Sequence, residues 1–190
     1  MIDKTQYGIY HVAADPDNFE VARDNCFEFI VTDIDNILKP GMDETDENAY
    51  MTNAQNTLKY SVVSAPIPNY TQNVLQTSRG NSVMKFAGRP TFSDGSLVIN
   101  DYIGVDSKSA LMGWQRLSYD PVTDTVGKMS EYKKTCYLIE YTPDFSKVVR
   151  TYKMIGCWVS GISESDYNAE QDNKKTITAT ITYDRAILEY

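Results

Sequence analysis

The sequence predicts a mainly β fold, an antiparallel β-barrel or β-sandwich with one flanking α-helix and long loops. Within residues 175–185, the eight residues 176–183 alternate strictly between threonines and apolar residues, which is the pattern of a strand with one buried face. Four strand-like segments precede a single helical segment and three follow it. This order favours an antiparallel sheet with a helix packed on it. Fourteen tyrosines among 190 residues suit a β-rich protein.

The predicted strands before the helix are rich in apolar and β-branched residues and are bounded by turn residues. They are residues 26–31, 58–63, 83–86 and 97–103. After the helix, residues 132–141 and 148–159 are predicted to form a hairpin that turns at Pro143 and Asp144.

The last two strands differ in how their two faces are predicted to be covered. In the strand that contains Trp158, both faces are apolar, which is typical of a strand covered on both sides. Met154 and Trp158 fall on one of these faces, and Ile155, Cys157 and Val159 fall on the other. The final strand has one apolar face, made by Ile177, Ala179, Ile181 and Tyr183, and one hydroxyl face, made by Thr176, Thr178, Thr180 and Thr182.

The helix is predicted over residues 107–118, with Asp106 or Ser107 as its N-cap. Gly113 is expected to weaken it by about 1 kcal/mol relative to alanine. Its apolar face has helical spacing and consists of Ala110, Leu111, Trp114 and Leu117. Core packing is the default interpretation of Trp114 and of Trp158, and anchoring at a subunit contact is the alternative.

The chain is predicted to be one domain, residues 1–190, with an extended arm at 1–17 and a long acidic loop at 32–57. The acidic charge lies in the N-terminal third. Residues 1–57 carry a net charge of −9, whereas residues 58–190 carry a net charge of +1. The loop holds Asp43, Glu44, Asp46 and Glu47. Such a run is either a solvated loop or a segment that docks on a more basic surface of another copy.

Composition excludes several classes of protein. The net charge of −8 disfavours a dedicated nucleic-acid binder, which normally carries a basic stripe. The three cysteines, Cys26, Cys136 and Cys157, are odd in number and widely spaced, which argues against a disulfide framework and a zinc site. We expect each of them to be buried and to behave as a small apolar residue. Neither a signal peptide nor a membrane-spanning run is recognisable, and synthesis in the cytoplasm is expected.

The sequence offers no set of residues for catalysis, so an enzyme, a cofactor and a metal are not expected. The single histidine, His11, has no nucleophile motif near it, and phosphate-binding glycine motifs are absent. The acidic run lacks the spacing of a calcium loop. Asp33 and Asp35 could serve as a glycosidase pair only at a set separation, and no aromatic-rich pattern accompanies them.

Several segments, in their order and spacing, carry a family resemblance. In residues 58–68 a strand ends in prolines, and in residues 78–90 Arg79 and Gly80 precede a short strand. The further segments are 97–106 with the helix that holds Trp114, then 119–127, 155–162 and 180–184. Over residues 18–188 this arrangement resembles the tail tube proteins of long-tailed bacteriophages. Residues 1–17 and the loop 32–57 depart from the pattern.

The resemblance implies a tail-tube type of β-barrel or β-sandwich that forms hexameric rings. In such a tube the rings stack around a polar channel, and DNA passes through without specific binding. It implies a virion tail protein, assembled in the bacterial cytoplasm without a membrane anchor, with tape-measure and baseplate proteins as partners and, in a contractile tail, sheath proteins. Thr176, Thr178, Thr180 and Thr182 would face the channel, and Asp43, Glu44, Asp46 and Glu47 are the candidates for contacts between rings.

Two other functions remain open from the sequence. The tube subunit of a bacterial contractile injection or secretion system shares the fold, and neighbouring genes for capsid, tape-measure and terminase proteins would distinguish it. A carbohydrate-binding β-sandwich module is the other, with tyrosines as stacking platforms. Glycan binding without self-assembly would favour that module.

Overall fold

The computed structural model describes residues 20–42, 45–46, 48–170 and 172–189. The predicted arm at 1–17 and His11 lie outside these residues. In the described part of the chain, the strands are β1 (Phe27–Val31), β2 (Ile37–Leu38), β3 (Tyr50–Met51), β4 (Val62–Ser64), β5 (Tyr70–Arg79), β6 (Ser82–Phe92), β7 (Gly95–Asn100), β8 (Tyr119–Asp120), β9 (Thr125–Val126), β10 (Lys134–Tyr141), β11 (Val148–Glu164), β12 (Thr176–Thr182) and β13 (Arg185–Glu189). The helices are α1 (Ala54–Ser61), α2 (Ser107–Arg116) and α3 (Met129–Tyr132).

One curled antiparallel sheet organises the fold, and the long strand β11 is shared by its two halves. The first half of β11 pairs with β10 and β13, and β10 pairs in turn with β1. The second half of β11 pairs with β12, which continues through β7 to the edge strand β4. The predicted mainly β, antiparallel fold with a flanking helix is therefore confirmed.

Gly156 is the point at which β11 changes direction. Its φ of +73° lies in the left-handed region, which glycine adopts at little cost. The side-chain alternation breaks there, so Met154, Cys157 and Val159 are all buried, whereas Ile155 is exposed. The prediction that Met154 shares a face with Trp158, opposite Cys157 and Val159, was wrong. The prediction of a strand covered on both faces was wrong as well.

Gly156→Ala should lower the free energy of unfolding by about 2 kcal/mol, because a left-handed φ costs an L-residue about 1–2 kcal/mol. The new Cβ would also lie 2.2 Å from a carboxylate oxygen of Asp184. That carboxylate pairs with Lys133 at 2.6 Å and would have to move.

Gly161→Ala is the matched control on the same strand, since its Cβ would lie 3.9 Å from the Thr180 hydroxyl oxygen. We expect a change of less than about 1 kcal/mol there, as at other sites without steric conflict. Urea denaturation measures both variants, and equal losses of stability would contradict the role assigned to Gly156.

The core lies inside the curl of the sheet, and α1 and α2 close its open side. Leu97, Ile99, Ile177 and Ile181 from the sheet are fully buried against Leu111 and its neighbours on α2. The observed α2 agrees with the predicted helix, and the carboxylate of Asp106 accepts a hydrogen bond from the Ser109 amide at 3.3 Å.

Gly113 has a packing role that the helix propensity scale does not reveal. A Cβ at this position would lie 2.5 Å from a methyl carbon of Ile37 on β2. The absence of a side chain therefore allows β2 to approach α2 closely. Glycine lowers the helix propensity locally, and in exchange β2 packs directly against the helix.

The segment 58–63 was predicted to be a strand, and this was wrong for its first four residues. Ala54, Thr57, Leu58 and Ser61 are buried at helical spacing and form one face of α1. Val62 begins the strand β4. The β-branched pair Val62 and Val63 dominated the sequence pattern, whereas burial against α2 decided the helix. The predicted loop at 32–57 likewise contains β2, β3 and the start of α1.

Other predicted strands differ at their ends. The strand predicted at 132–141 begins at Lys134, because α3 occupies residues up to Tyr132. The final predicted strand ends at Thr182, and a separate strand, β13, follows and pairs with the first half of β11. The chain turns between these two strands at Tyr183 and Asp184.

The three cysteines are free and buried, as predicted. Burial raises the pKa of the Cys136 thiol, and a hydrogen bond with the Cys157 thiol raises it further. Such thiols behave as small apolar residues of the core. Among the described residues, no helix is long and apolar enough to cross a membrane.

Candidate assembly surfaces

The strands β5 and β6 form a long hairpin that projects from the body of the protein. They pair with each other and, among the described residues, with no further strand. Every residue of β5 is exposed, and all of β6 is exposed except Gly88 and Phe92, which are half-buried. The sequence analysis predicted only residues 83–86 of this hairpin. An isolated two-stranded hairpin is marginally stable in water, so such an element normally requires a further contact.

The base of the hairpin is held by aromatic side chains. The ring of Phe92 lies 5.5 Å from that of Tyr70 and 5.9 Å from that of Tyr183, measured between centroids. The Asn69 amide donates a hydrogen bond to the Tyr183 hydroxyl at 3.3 Å. Burial raises the pKa of this hydroxyl above its usual value. The hairpin is thus anchored to the sheet at its base.

Both faces of the hairpin expose apolar side chains, and the larger ones lie on one face, since Val74 and Val83 are the largest apolar residues of the other. Directly opposed residues share a face, and the pairs Leu75 with Phe86 and Thr77 with Met84 follow each other on the same face. We call Leu75, Thr77, Met84 and Phe86 the apolar face. In the single chain, Leu75 is 58% exposed, Met84 44% and Phe86 50%. Contiguous exposed apolar side chains mark a surface that contacts another protein.

The hairpin is also cationic. Residues 70–92 contain Arg79, Lys85 and Arg89 and no acidic residue, a net charge of +3. The whole chain carries −8, so the remaining residues carry −11. The hairpin therefore combines apolar side chains with a charge opposite to that of the rest of the chain.

A second surface is the outer face of the sheet half that contains β12. Its exposed or half-buried side chains carry hydroxyl, amide or apolar groups, and the residues identified on it by strand pairing have no charge. The half-buried Trp158 pairs with Thr182 and borders this face. We call it the hydroxyl face, and it comprises Ser96, Val98, Asn100, Ser160, Ser163, Thr176, Thr178, Thr180 and Thr182.

The hydroxyl face is stiffened by contacts within the sheet. The Thr182 hydroxyl donates to the Ser160 hydroxyl at 3.0 Å, and the Ser160 hydroxyl donates to the carbonyl oxygen of Thr180 at 3.2 Å. At one end of the sheet, Glu164 pairs with Lys108 at 2.6 Å and with Lys175 at 3.2 Å. The hydrogen bond from Lys108 is the main cause that lowers the pKa of the Glu164 carboxyl, and the hydrogen bond from Lys175 lowers it further.

The sheet also has open edges. Within the described residues, β1, β4 and β13 each pair on one side only. An open edge presents unpaired backbone N–H and C=O groups, which a strand from another chain can satisfy. The fold therefore offers an uncovered hairpin, an uncharged sheet face and open sheet edges.

Known proteins resemble this chain in sequence and in fold. No protein-family model matches the chain. The tail tube protein gp19 of Enterobacteria phage T4 is 24% identical over 106 residues, which are 55% of this chain. The corresponding protein of Enterobacteria phage T6 matches equally. The chain spans 65% of the length of these curated relatives. The chain is a distant relative of tail tube proteins.

Solved tube structures share the fold. A sheath/tube terminator from an extracellular contractile injection system has a TM-score of 0.63 at 14% identity, over 90% of this chain and 97% of that one. A chain of the sheath–tube complex from such a system has a TM-score of 0.58 at 10% identity, over 100% of this chain and 99% of that one. The resemblance to tube proteins that the sequence motifs indicated is therefore confirmed.

The residues predicted for the channel and for contacts between rings can now be placed on the tube-protein fold. Thr176, Thr178, Thr180 and Thr182 alternate with buried residues, as predicted, and lie on the hydroxyl face. Of the acidic run, Asp46 is exposed. Asp43, Glu44 and Glu47 lie outside the described residues.

Asp33 and Asp35, the two carboxylates that were considered as a glycosidase pair, lie at a turn and at the start of a helix. Asp35 accepts a hydrogen bond from the Gln55 amide at 3.1 Å, in the first turn of α1, and Asp33 occupies a left-handed turn position. Among the described residues, no group of three or more His, Cys, Asp or Glu side chains could hold a metal ion.

Sequence reasoning missed the hairpin as a functional element. One signal was present: residues 48–93 contain no acidic side chain, within a strongly acidic chain. The polar composition of β5 concealed the strand, because both of its faces are exposed and neither follows the apolar alternation of a half-buried strand.

Proposed function

We propose that this protein is a structural subunit of a bacteriophage tail tube, which oligomerises into stacked hexameric rings and provides the conduit for DNA ejection. The observation that carries the proposal is the anchored hairpin with an uncovered apolar face, on a fold similar to that of tube proteins. A single chain leaves this face in water, whereas the next ring of a tube covers it.

Lateral contacts between subunits are proposed to use the open sheet edges. A neighbour that adds its strand to an edge satisfies the unpaired backbone groups. Six such heterologous contacts close into a ring when the rotation between neighbours is one sixth of a turn. Closure pairs two edges of every subunit with its neighbours, which prevents unlimited lateral growth.

The hydroxyl face is proposed to line the channel, with Thr176, Thr178, Thr180 and Thr182 directed inward. Its side chains carry no cations, so DNA phosphates would find no charged partner there. Hydroxyl groups keep such a surface hydrated and free of strong binding sites. The proposed channel therefore lets DNA pass without specific binding.

The proposed role as a tail tube subunit also implies a location and a set of partner proteins. We propose a virion tail location after assembly in the host cytoplasm, with contacts to tape-measure and baseplate proteins and, in a contractile tail, to sheath proteins. The tube of a bacterial contractile injection system is the second candidate, because two of the solved structures with the same fold belong to such systems. Phage capsid and terminase genes beside the coding gene would favour the tail tube.

Negative-stain electron microscopy of the purified protein, dilute and then concentrated, tests the proposal. We expect rings with a central hole that stack into tubes as the concentration rises, and sedimentation velocity should show the corresponding growth in mass. Rings that never stack would favour a tube terminus over a tube subunit. Single particles at every concentration, together with glycan binding, would contradict self-assembly and favour a carbohydrate-binding module.

A further inference from the structure

We infer that Tyr183 is a positioning residue that fixes the angle between the hairpin and the hydroxyl face, an inference that rests on the proposed function of the hairpin in assembly. Tyr183 is the first residue after β12 and lies in the turn that leads to β13. Its side chain is 6% exposed and contacts the base of the hairpin. One residue therefore links the strand that carries the four threonines to the projecting element.

The hairpin is joined to the body by two short connections that lie side by side. Residues 65–69 lead into β5, and residues 93–94 lead from β6 into β7. The two connections approach closely, since a Cβ at Gly95 would lie 2.2 Å from the Cβ of Pro66. Such a narrow connection acts as a hinge, because a few loop residues can absorb the change in backbone angles when a projecting element swings. A contact beyond the hinge is therefore needed to hold the hairpin at one angle.

Tyr183 supplies this contact, and it touches both sides of the hairpin base. The Asn69 amide donates to the Tyr183 hydroxyl oxygen at 3.3 Å, and the hydroxyl donates to the Asn69 carbonyl oxygen at 3.4 Å. The Tyr183 ring contacts that of Phe92 at a centroid separation of 5.9 Å. Asn69 directly precedes β5 and Phe92 ends β6, so one side chain contacts the start and the end of the hairpin. Contacts on both sides oppose a swing in either direction.

The turn that carries Tyr183 is itself fixed to the body of the protein. The Asp184 amide donates to a backbone carbonyl oxygen of β11 at 3.0 Å, and the Asp184 carboxylate pairs with Lys133 at 2.6 Å. On the other side of Tyr183, the Thr182 hydroxyl donates to the Ser160 hydroxyl at 3.0 Å. The angle of the hairpin is therefore set relative to β11 and to the hydroxyl face.

The angle of the hairpin determines where its apolar face lies when a subunit meets a neighbour. A hairpin that swings freely must be ordered at each new contact, and this ordering costs free energy that association has to offset. When the angle is fixed in the single subunit, most of this cost is met during folding. Tyr183 therefore acts on assembly through the hairpin and needs no contact of its own with a neighbour.

Tyr183→Phe removes the hydroxyl and retains the ring, so it separates the positioning role from core packing. Nitroxide spin labels on Asn81→Cys, at the tip of the hairpin, and on Lys128→Cys, on the body, report the angle in the unassembled subunit by double electron–electron resonance. Both positions are exposed, and the three native cysteines are buried, so the label selects the introduced thiols. We expect one narrow distance distribution in the parent protein and a distribution about twice as wide in Tyr183→Phe, because the hydrogen bonds that hold the base are lost.

Tyr141→Phe is the matched control, because its hydroxyl is also partly buried and donates to a carboxylate oxygen of Glu28 at 3.1 Å, and its ring contacts that of Phe145. These contacts lie outside the hairpin, so the distance distribution should equal that of the parent protein. Phe92→Leu breaks the ring contact from the side of the hairpin and should widen the distribution, even if Tyr183→Phe fails to fold. The inference is overturned when neither hairpin variant widens the distribution, or when Tyr141→Phe widens it equally.

Sedimentation velocity separates this inference from the proposed function. Tyr183→Phe should raise the concentration needed for assembly about fivefold at a nearly unchanged thermal unfolding midpoint, because the hairpin loses its order while the core remains packed. A wider distance distribution without tubes from any of the proteins refutes the tube proposal alone. Tubes at the parental threshold, with an unchanged distribution in both hairpin variants, refute the positioning role alone.

Discussion

Replacing Leu75 and Phe86 by serine should raise the concentration needed for tube assembly by about 100-fold while leaving the fold intact. Each side chain loses about 1.5–3 kcal/mol of burial when it is removed from an apolar contact, and every 1.4 kcal/mol corresponds to a factor of ten. In the single subunit, Leu75 is 58% exposed and Phe86 is 50% exposed. Folding therefore loses little from their replacement.

Gln76→Ser is the matched control, because Gln76 lies on the same hairpin but on the opposite face, paired with Lys85. Sedimentation velocity gives the assembly threshold of each protein, and thermal unfolding monitored by circular dichroism reports the stability of the subunit. An unchanged threshold in the double variant, or an equal rise in the Gln76→Ser control, would contradict the assignment of the apolar face as an interface.

Trp114→Ala should destabilise the subunit by about 3–5 kcal/mol, the usual cost of truncating a large buried aromatic residue. Trp114 is completely buried between α2 and the sheet, and its indole N–H donates to the carbonyl oxygen of Tyr132 at 3.1 Å. The substitution leaves a cavity in the core and removes the partner of that carbonyl. A loss of this size is a large fraction of the stability of a typical domain.

Trp158→Ala is the comparison, since the ring of Trp158 is half-buried and contacts the ring of Tyr132 edge-on at 5.9 Å. We expect a loss of about 1–2 kcal/mol, because only part of the ring leaves an apolar environment and one aromatic pair is removed. Urea denaturation of the unassembled subunit measures both. A greater loss for Trp158→Ala than for Trp114→Ala would contradict the placement of the core.

Much of the body of the protein was predictable from local pattern. The alternation of Ile177, Ala179 and Ile181 with threonines identified a half-buried strand, because one face of that strand contacts the core and the other contacts water. The spacing of Ala110, Leu111 and Trp114 identified α2 for the same reason. Wherever an element has one buried face, its sequence carries the period of that element.

Prediction from the sequence failed where an element has no such periodicity. It also failed where a contact with residues distant in the sequence determines the local structure. The segment from Ala54 to Ser61 is helical because its buried face packs on α2, which local β propensity does not include. The change of direction at Gly156 is a single backbone event that shifts the register of the following side chains.

The two assembly surfaces also differ in how far the sequence predicts them. The hydroxyl face was readable from the threonine alternation, and the acidity of the N-terminal third was readable from composition. The hairpin was not, because residues that are exposed on both faces show no pattern of burial. Its uncovered state depends on where the rest of the chain lies, and that is a property of the tertiary structure.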